Sequence, residues 1–414
     1  MKRLSLPHPV EEIKGSYFNI YEGKTIIFGL TSSAAIYKSI DVMRELIRRN
    51  AKVIAVMSEE ATKLISPLLI EWATGESVFT EFGGEVGHIS LGRIASSMII
   101  CPATANTIAK IAAGIGDTPV TLAALSILGF NKPLIIVPAM HYSLWSSPTF
   151  RDSLNKLMKY SNVVVVPPNI KEGKAKIANV EDIVAAAEAA TLRGKDLDGI
   201  RILVTAGPSR EYLDGVRFLS NPSTGKMGIA IAREAYFRGA NVTLIHGPVT
   251  TPIPHYIRTI SVMSAEDMLK AVFNEIKTHK YDAIIMAAAP TDFKFKNIIE
   301  GKLDSSRGIN VTLIPNPKIS LEIRKYFKGL IVGFSAEYVK GDKKLLKELA
   351  LRKLYERGFD IVIANDISRR DIGFASDFNE VLIISEEEVI EIPKAPKSII
   401  ARVILDKVKV MLHN

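Results

Sequence analysis

Small and hydroxylated residues follow the first two apolar runs of the chain, where they could bind an anion. Gly29, Thr31 and Ser32 come directly after the first run, and Ser58 comes directly after the second. Small residues let backbone N–H groups approach a phosphate at a helix N-terminus, and hydroxyl groups add hydrogen-bond donors. Either Ser32 or Ser33, taken alone, is also explained as a plain helix N-cap. Because no GxGxxG spacing follows Gly29, the segment favours a mononucleotide over a dinucleotide.

Two histidines occur where a proton could be exchanged with a substrate. His88 lies in the segment Gly87–Leu91, and His141 follows the fourth apolar run. Imidazole takes up and releases protons near neutral pH, which suits general acid–base catalysis. A surface histidine without a ligand is the alternative at each position. The loop Thr104–Asn106 follows the third run and adds further hydroxyl and amide groups.

A glycine–lysine pair in the second half suggests a phosphate-binding loop, but the spacing excludes a P-loop. The motif GxxxxGK[ST] requires glycine at the position of Ser220 and a hydroxyl at the position of Met227. The turn Gly225–Gly228 could still present helix N-terminal amides to a phosphate. Lys353 and Arg357 are four residues apart on a predicted helix, so both would project from one face. Exposed helix charges without a ligand are the alternative for this pair.

The composition is that of an ordinary globular chain with a basic surplus. The 414 residues are 47% hydrophobic and 23% charged, and 53 Lys and Arg against 44 Asp and Glu leave a formal charge of +9. Anionic small molecules explain this surplus as well as nucleic acid does, and so does a solvated basic surface.

The single cysteine excludes a disulfide scaffold and a zinc site of thiolates. No apolar run reaches about 18 residues. The start lacks the apolar core of a signal peptide. We therefore expect a cytoplasmic protein with no membrane segment and no nucleic-acid partner.

Short β-branched runs alternate with longer helical patterns along the chain, which predicts parallel βαβ units. The predicted strands of the first half are Thr25–Phe28, Lys52–Val56, Ser97–Ile100, Leu134–Val137 and Asn162–Val166. The predicted helices of the first half include Ser33–Arg49, Ala105–Ala113, Val120–Leu128 and Ile183–Ala190. The predicted strands of the second half are Arg201–Val204, Val242–His246, Ala283–Ala287, Leu330–Phe334, Ile361–Ile363 and a late, antiparallel Val381–Ile384.

A polar, glycine-bearing stretch separates the two halves. We predict an N-terminal extension over residues 1–21, a first domain over 22–190, a linker over 191–198 and a second domain over 199–414. The fold class is α/β, with two consecutive parallel-sheet, Rossmann-like domains. In such sheets ligands bind at the carboxyl ends of the strands, which is where the residues described above fall.

Two motifs in the first half are shared with a known family. The segments PATANT (102–107) and PAMHYSLW (138–145) resemble the signatures PASANT and PxMNxxMW of the flavin-dependent cysteine decarboxylases. The resemblance implies a flavodoxin-like, FMN-dependent domain that decarboxylates 4′-phosphopantothenoyl-cysteine. It also implies that His88 is the essential histidine. The residues that it assigns to FMN are Gly29, Thr31, Ser32, Ser58, Thr104, Ala105 and Asn106.

The sequence departs from that family at two places. His141 replaces the asparagine that contacts the substrate carboxylate, and a histidine can still donate a hydrogen bond to it. The stretch 167–176 matches a flap over the substrate but lacks the cysteine that serves bacterial relatives as proton donor. Cys101 lies elsewhere and is expected to be a small buried hydrophobe, which leaves the proton donor unassigned. The three lysines of the flap either bind the substrate phosphate or form a solvated charged face.

A long signature in the second half matches another family. The segment TAGPSREYLDGVRFLSNPSTGKMG (205–228) resembles that of the phosphopantothenate–cysteine ligases, as do MAAAPTDF (286–293), NPKI (316–319) and GFSAE (333–337). The resemblance implies that Asn221 holds an acyl-nucleotide intermediate and that Asp292 lies near the nucleotide or a metal ion. Phe334 is also explained as ordinary core. The nucleotide-binding residues that the resemblance assigns are Met286, Ala287, Ala288, Asp292, Lys302, Asn316, Pro317, Lys318, Ile319, Phe334, Lys353 and Arg357, with Lys302 also catalytic.

Together the two resemblances imply a bifunctional enzyme of coenzyme A biosynthesis. The second domain would join 4′-phosphopantothenate to cysteine with CTP and Mg²⁺, through an acyl-cytidylate. The first domain would then decarboxylate the product to 4′-phosphopantetheine with FMN. The families also imply a homo-oligomer built from flavoprotein trimers and ligase dimers, up to a dodecamer. Two alternatives stay open, namely a ligase fused to an inactive flavoprotein scaffold and a flavin-binding regulatory protein.

Overall fold

The computed structural model of the chain describes residues 8–84, 86–304, 306, 308–369 and 371–413. The chain divides between Asp196 and Leu197 into two compact units. This division falls inside the range 191–198, where the sequence predicts a linker, and the last helix of the first unit ends at Leu192. Among the described helices, none is both long enough and apolar enough to cross a membrane.

The first unit contains a five-stranded parallel sheet and a separate three-stranded sheet. Its strands are β1 (Thr25–Leu30), β2 (Lys52–Met57), β3 (Ser97–Ala103), β4 (Leu134–Pro138), β5 (Met140–His141), β6 (Val163–Val165), β7 (Asn169–Lys171) and β8 (Lys174–Lys176). Its helices are α1 (Val10–Ile13), α2 (Ser39–Arg48), α3 (Glu59–Thr62), α4 (Pro67–Thr74), α5 (Gly87–Ile94), α6 (Ala105–Ala113), α7 (Pro119–Gly129), α8 (Tyr142–Trp145), α9 (Pro148–Met158) and α10 (Val180–Leu192).

The main sheet of the first unit has the strand order β2-β1-β3-β4-β6. Every residue of β3 and β4 is buried, which is the pattern of strands with helices on both sheet faces. All five strands predicted for this half are present. The predicted helix Ser33–Arg49 is divided into a 3₁₀ turn, Ala34–Lys38, followed by α2. The buried hydroxyl of Ser39 donates to the carbonyl of Cys101 at 2.7 Å, so a contact with β3 holds the start of α2.

The second unit contains an eight-stranded sheet and two separate two-stranded antiparallel sheets. Its strands are β9 (Arg201–Ala206), β10 (Arg210–Tyr212), β11 (Phe218–Ser220), β12 (Asn241–His246), β13 (Arg258–Ser261), β14 (Ala283–Met286), β15 (Phe293–Phe295), β16 (Leu313–Pro315), β17 (Leu330–Glu337), β18 (Ile361–Asp366), β19 (Phe378–Ile384) and β20 (Val389–Pro396). Its helices are α11 (Lys226–Phe237), α12 (Ala265–Thr278), α13 (Ile319–Arg324), α14 (Lys343–Arg357) and α15 (Lys397–His413).

The large sheet has the order β13-β12-β9-β14-β17-β18-β19-β20. Its first six strands are parallel and β19 runs antiparallel to β18, which confirms the late antiparallel strand predicted at Val381–Ile384. The two edge strands, β13 and β20, were not predicted. Both are largely exposed, so neither carries the continuous apolar run that marks a central parallel strand.

Candidate functional site

The second unit contains a cavity of about 470 Å³ at the carboxyl ends of its parallel strands. The strand order reverses between β9 and β14, and ligands of open α/β sheets bind at such a point. Thr205 of β9 and Asn221 lie on the cavity wall. The predicted nucleotide residues that line the same cavity are Met286, Ala287, Ala288, Asp292, Asn316, Pro317, Lys318, Ile319, Phe334, Lys353 and Arg357.

Lys302 is the predicted nucleotide residue that does not line this cavity. It is exposed, in the segment between β15 and β16. The adjacent Leu303 donates its backbone N–H to Asp214 Oδ2 at 3.1 Å. Hydrogen bonds from backbone amides, with that of Arg217 the strongest, hold the pKa of Asp214 well below its usual range. The segment is thus anchored to an ionised carboxylate, and the structure does not bring Lys302 to the other nucleotide residues.

Two hydrogen bonds hold the side chain of Asn221. Its Nδ2 donates to the carbonyl oxygens of Ala289 at 3.2 Å and Pro290 at 3.1 Å. The preceding Ser220 donates its hydroxyl to the carbonyl of Ser209 at 2.7 Å. These contacts join the chain around Asn221 to the segments after β9 and β14, and Asn221, Ala289 and Pro290 all line the cavity.

The start of α11 lies close against β9. Gly225 has a φ of +82°, and a Cβ at this position would lie 2.4 Å from Val249 Cγ1. A Cβ on Gly228 would lie 2.6 Å from the Cβ of Ala206. Only glycine fits either position. Close packing of a helix N-terminus on the first strand lets backbone amides face a phosphate, even though the P-loop spacing is absent.

Two lysines on the cavity wall are paired with carboxylates. Lys318 forms an ion pair with Asp292, and Lys353 forms one with Glu337 at 2.5 Å. Arg357 lies one helical turn beyond Lys353 on α14, as the spacing predicted. A bound polyphosphate would compete with both carboxylates for these cations, because phosphate oxygens accept the same charge-assisted hydrogen bonds.

The sequence patterns missed Lys397, which also lines the cavity. It is only 6% exposed, and its Nζ donates to the carbonyl of Gly373 at 2.7 Å. Burial, and secondarily the charge of Lys226, lower the pKa of Lys397 to about 8. Lys397 is the first residue of α15, where a charged side chain is usually solvated, so no local signal marks it as buried.

Asn316 presents a buried oxygen without a hydrogen-bond donor. The residue is 4% exposed, and its Nδ2 donates to the carbonyl of Thr291 at 3.0 Å. This bond identifies the nitrogen, because a carbonyl must receive a donor. Within the described residues, Asn316 Oδ1 has no partner. An unpaired buried acceptor costs about 1–3 kcal/mol, so a ligand donor at this oxygen would be favourable.

In the first unit, the predicted cofactor residues meet at the carboxyl ends of β1, β2 and β3. The hydroxyl of Thr31 donates to the carbonyl of Pro102 at 2.7 Å and accepts the N–H of Thr104 at 3.2 Å. Thr104 in turn caps α6, and Ser58 caps α3. The hydroxyl of Thr31 therefore ties the loop after β1 to the loop after β3, whereas that of Ser58 bonds within its own helix start. The N-cap expected at Ser32 or Ser33 lies at Ser33, whose hydroxyl accepts the N–H of Ala35 at 3.4 Å.

The remaining predicted cofactor residues differ in exposure. Ser32 and Asn106 are exposed, and Ala105 is half-buried. Gly29 is buried within β1, where a Cβ would lie 2.9 Å from Val120 Cγ1 and 3.0 Å from Met98 Cε. The absence of a side chain at Gly29 thus permits the packing of the sheet against neighbouring side chains.

His88 lies in the first turn of α5 and is half-buried. Its ring lies against Phe82, with 5.7 Å between the ring centroids. Its Nδ1 is buried, and no partner for it occurs in the part of the chain that the structure describes. The described contacts place His88 beside this aromatic ring and do not link it to the loops that follow β1 and β3.

His141 lies on β5, which pairs with the predicted flap. The flap is the hairpin β7–β8, and the register places His141 opposite Lys174. His141 is exposed, and its Nδ1 lies 3.1 Å from the hydroxyl of Ser143. Lys174 is also exposed, whereas Lys176 pairs with Glu172. The structure therefore places the unusual histidine and the flap on one small sheet.

Cys101 is fully buried in β3, which confirms the expectation of a small buried hydrophobe. Burial raises the pKa of its thiol to about 12. A thiol of this kind is almost wholly protonated at neutral pH and is inaccessible to a substrate.

The fold and the two clusters of polar residues define the class of the protein, a two-domain α/β protein with a candidate ligand site at the carboxyl ends of the strands in each unit. Sequence models of two families match the chain. The family described as Flavoprotein matches residues 16–192, and the one described as DNA/pantothenate metabolism flavoprotein C-terminal domain matches residues 197–411.

Curated relatives match nearly the whole chain. The Coenzyme A biosynthesis bifunctional protein CoaBC of Thermococcus kodakarensis is 40% identical over 412 residues, which cover 98% of this chain and 100% of the relative. That of Methanocaldococcus jannaschii is 36% identical, covering 98% of each chain. A solved C-terminal domain of a CoaBC protein covers 53% of this chain and 99% of its own, with 35% identity and a TM-score of 0.45. The chain belongs to the CoaBC family of bifunctional coenzyme A biosynthesis enzymes, which combine phosphopantothenoylcysteine decarboxylase with phosphopantothenate–cysteine ligase.

Proposed function

We propose that the second unit activates 4′-phosphopantothenate with CTP and then couples it to cysteine. The observation that carries this proposal is the cavity that gathers Asn221 with the basic residues Lys353 and Arg357. A carboxylate oxygen attacks the α-phosphorus, the bond to pyrophosphate breaks, and an acyl-cytidylate forms. The cysteine amine then attacks the acyl carbon, CMP leaves with the bonding electron pair, and the amine releases a proton.

The residues of the cavity act mainly by orienting the reactants and neutralising charge. Lys353 and Arg357 would face the phosphates, whose charge must be stabilised as pyrophosphate departs. Asn221, held on Ala289 and Pro290, would contact the acyl-nucleotide. Phe334, half-buried on the wall, would pack against the nucleotide.

The buried oxygen of Asn316 supports the proposed choice of nucleotide. An amide oxygen accepts a hydrogen bond from an exocyclic amino group, which cytosine and adenine have and uracil lacks. A nucleotide with a carbonyl at that position would leave two acceptors facing each other. CTP satisfies this oxygen, and the resemblance favours CTP over ATP.

Mg²⁺ is the proposed metal, and the chain offers it few ligands. Among the described residues, no group of three or more His, Cys, Asp or Glu side chains is placed to hold a metal ion. Asp292 already pairs with Lys318. Mg²⁺ is commonly held by one or two carboxylates together with substrate phosphates. We therefore propose Asp292 as its protein ligand, with the triphosphate supplying the other oxygens.

We propose that Lys302 acts in the site of a second copy of the chain. It lies outside the cavity, and its segment exposes apolar side chains, including Ile298 at 73% and Val311 at 45%. Burial of this surface against another copy would be favourable. Dimers of the ligase unit, and trimers of the flavoprotein unit up to a dodecamer, are the proposed assembly. Mixing an inactive Lys302→Ala variant with an inactive Asn221→Ala variant should restore activity if the site is shared.

We propose that the first unit binds FMN at the loops after β1, β2 and β3. The donor set fits a phosphorylated ligand, because Ser32 and Asn106 are exposed neutral donors and residues 31–33 and 104–106 contain no acidic side chain. A bound flavin would supply the electron sink that decarboxylation of an unactivated carboxylate needs. His88 would exchange a proton with the substrate through its half-buried imidazole ring. His141 would donate a hydrogen bond to the departing carboxylate, and the flap would cover the substrate.

The assay of both products tests the whole proposal. The purified enzyme should form pyrophosphate only with CTP, 4′-phosphopantothenate and cysteine together. It should then release CO₂ and yield 4′-phosphopantetheine. Pyrophosphate without CO₂, from protein that contains flavin, would favour the inactive scaffold in the first unit. Absence of pyrophosphate with every nucleoside triphosphate would overturn the proposal for the second unit.

The same proposal assigns the remaining features of the chain. Residues 22–190 form the decarboxylase domain and 199–414 the ligase domain, with 1–21 an extension and 191–198 a linker. The location is cytoplasmic, where CTP and reduced cysteine are available. Nucleic acid is not a partner, since CTP and phosphorylated substrates explain the basic surplus of the chain.

A further inference from the structure

The loop between β18 and β19 forms part of the wall of the large cavity. Gly373 and Phe374 of this segment, here called the 371–377 loop, line the cavity together with Gly225 at the start of α11. The described part of the loop contains bends but no helix or strand. The shape of the wall at this place therefore depends on what holds the loop.

Side chains at the starts of α11 and α15 hydrogen-bond to the loop, mostly at its backbone oxygens. Thr224 donates its hydroxyl to the carbonyl of Phe374 at 3.0 Å. Lys226 donates its Nζ to the carbonyl of Ala375 at 3.1 Å and to Asp377 Oδ1 at 2.6 Å. All these bonds come from residues around the start of α11 and bring the loop onto it.

Lys397 adds the third attachment, from the start of α15. Its Nζ donates to the carbonyl of Gly373 at 2.7 Å and to that of Phe374 at 3.2 Å. Its backbone N–H donates to the carbonyl of Asp377 at 3.0 Å. Lys397 thus hydrogen-bonds to the loop at Gly373 and Phe374, which line the cavity, and at Asp377, where the loop ends.

Burial of the charged side chain of Lys397 costs free energy, and packing alone would not require a charge at this position. Transfer of an ammonium group out of water is unfavourable unless strong hydrogen bonds replace the water. The charge of Lys226 adds repulsion, which Asp377 only partly offsets. A methionine would fill a similar volume without either cost. The retained cation therefore points to a function of the contacts with the loop.

We propose that Lys397 is a positioning residue that fixes the 371–377 loop as a wall of the nucleotide site. The inference rests on the proposed use of a nucleotide by this cavity. The loop closes the cavity beside the start of α11, where helix amides face a phosphate. Loss of these hydrogen bonds would let the loop move. The affinity for the nucleotide would then fall more than the rate of the chemical step.

The experiment compares Lys397→Met and Lys397→Arg with the control Lys407→Met in the full-length enzyme. Lys407 lies on the same helix but pairs with Glu388, outside the loop. Lys397→Met should raise KM for CTP at least fivefold and change kcat less than twofold, while KM for cysteine stays constant. Lys397→Arg should recover part of the loss, because its guanidinium can also donate to two carbonyls. Lys407→Met should behave like the unmodified enzyme.

Hydrogen exchange of peptides that cover residues 371–378 gives a readout independent of activity. Exchange in the free enzyme should be faster in Lys397→Met than in Lys407→Met. Thr224→Val removes one donor to Phe374 and no charge, so it should also speed exchange, with a smaller rise in KM for CTP. This variant keeps the test available if Lys397→Met fails to fold.

Unchanged exchange and unchanged KM in an active variant would overturn the inference. A fall in kcat without a rise in KM would do the same. An unmodified enzyme that does not use CTP would instead overturn the proposed function, and the exchange comparison would still decide whether Lys397 holds the loop.

Discussion

Each unit places polar side chains at the carboxyl ends of the strands in its own sheet, but the two sets of side chains differ in their bonding. In the first unit, the hydroxyls of Thr31, Ser58 and Thr104 are engaged by neighbouring loops and helix starts. In the second, Lys318 and Lys353 line an open cavity and pair with carboxylates that a ligand could replace. The first site is built by hydrogen bonds that organise the loops, and the second by lysines whose ion pairs a bound polyphosphate would replace.

This difference has a consequence for mutagenesis. A change at Thr31 alters both the fold of the loops and any cofactor contact, so its effect on activity is hard to interpret. A change at Lys353 or Arg357 removes a charge from a surface that persists without it. Variants that affect one reaction and spare the other are therefore the sharpest probes of the comparison.

The largest effect is expected from Asn221→Ala. Loss of the amide that would contact the acyl-nucleotide should lower the rate of pyrophosphate formation about 100-fold, the order of magnitude expected when one preorganised polar contact to a transition state is removed. CO₂ release from supplied 4′-phosphopantothenoyl-cysteine should be unchanged. Parallel assays of the two products make the comparison. Equal loss of both activities would mean that Asn221 supports the fold instead of the ligase site.

His88→Gln provides the opposite test. Removal of a proton-exchanging group should slow CO₂ release by about 100-fold or more. Pyrophosphate formation should stay at the level of the unmodified enzyme. Flavin absorbance of the purified variant serves as the control, because cofactor loss would also abolish CO₂ release. A variant that retains flavin and full decarboxylation would show that His88 merely packs on Phe82.

Lys353→Met should produce an intermediate effect. Loss of one charge-assisted contact to a phosphate corresponds to about a tenfold rise in KM for CTP. The matched control is Lys347→Met, an exposed lysine on the same helix. Initial-rate measurements at varied CTP should separate the two variants. Similar KM values for both would remove Lys353 from the site.

Cys101→Ala should have the smallest effect. Because the thiol is buried and its pKa is raised to about 12, it should take part in neither reaction. Both activities should be retained, with a loss of about 1 kcal/mol in the free energy of unfolding from the lost packing. Thermal denaturation measures that loss. Rapid alkylation of Cys101 by iodoacetamide in the native enzyme would contradict this placement.

Much of the fold was predictable from local patterns. The central strands, such as β3 and β4, are continuous apolar runs because helices cover both faces of their sheets. The edge strands β13 and β20 were not predictable in the same way, since exposed strands share their composition with loops. The break before α2 also escaped prediction; it lies next to a contact between Ser39 and Cys101, which are distant in sequence.

The residues of the candidate sites were likewise predictable only where contiguous motifs contain them. Motifs of contiguous residues, including NPKI and the segment around Asn221, identified most of the cavity wall. Lys397 and its hydrogen bonds to the 371–377 loop were not identified, because the lysine carries no local signal of burial or contact. Lys302 was assigned by the family resemblance, yet the structure places it outside the cavity.

The sequence by itself determined the alternation of strands and helices, the two families and the residue types at the strand ends, because each depends on neighbours in the chain. Only the tertiary structure decided which charges are buried, which hydroxyls are already bonded and which loops close a cavity. Those properties arise when segments far apart in sequence meet and exclude water, as Lys397 and Gly373 do in the second unit.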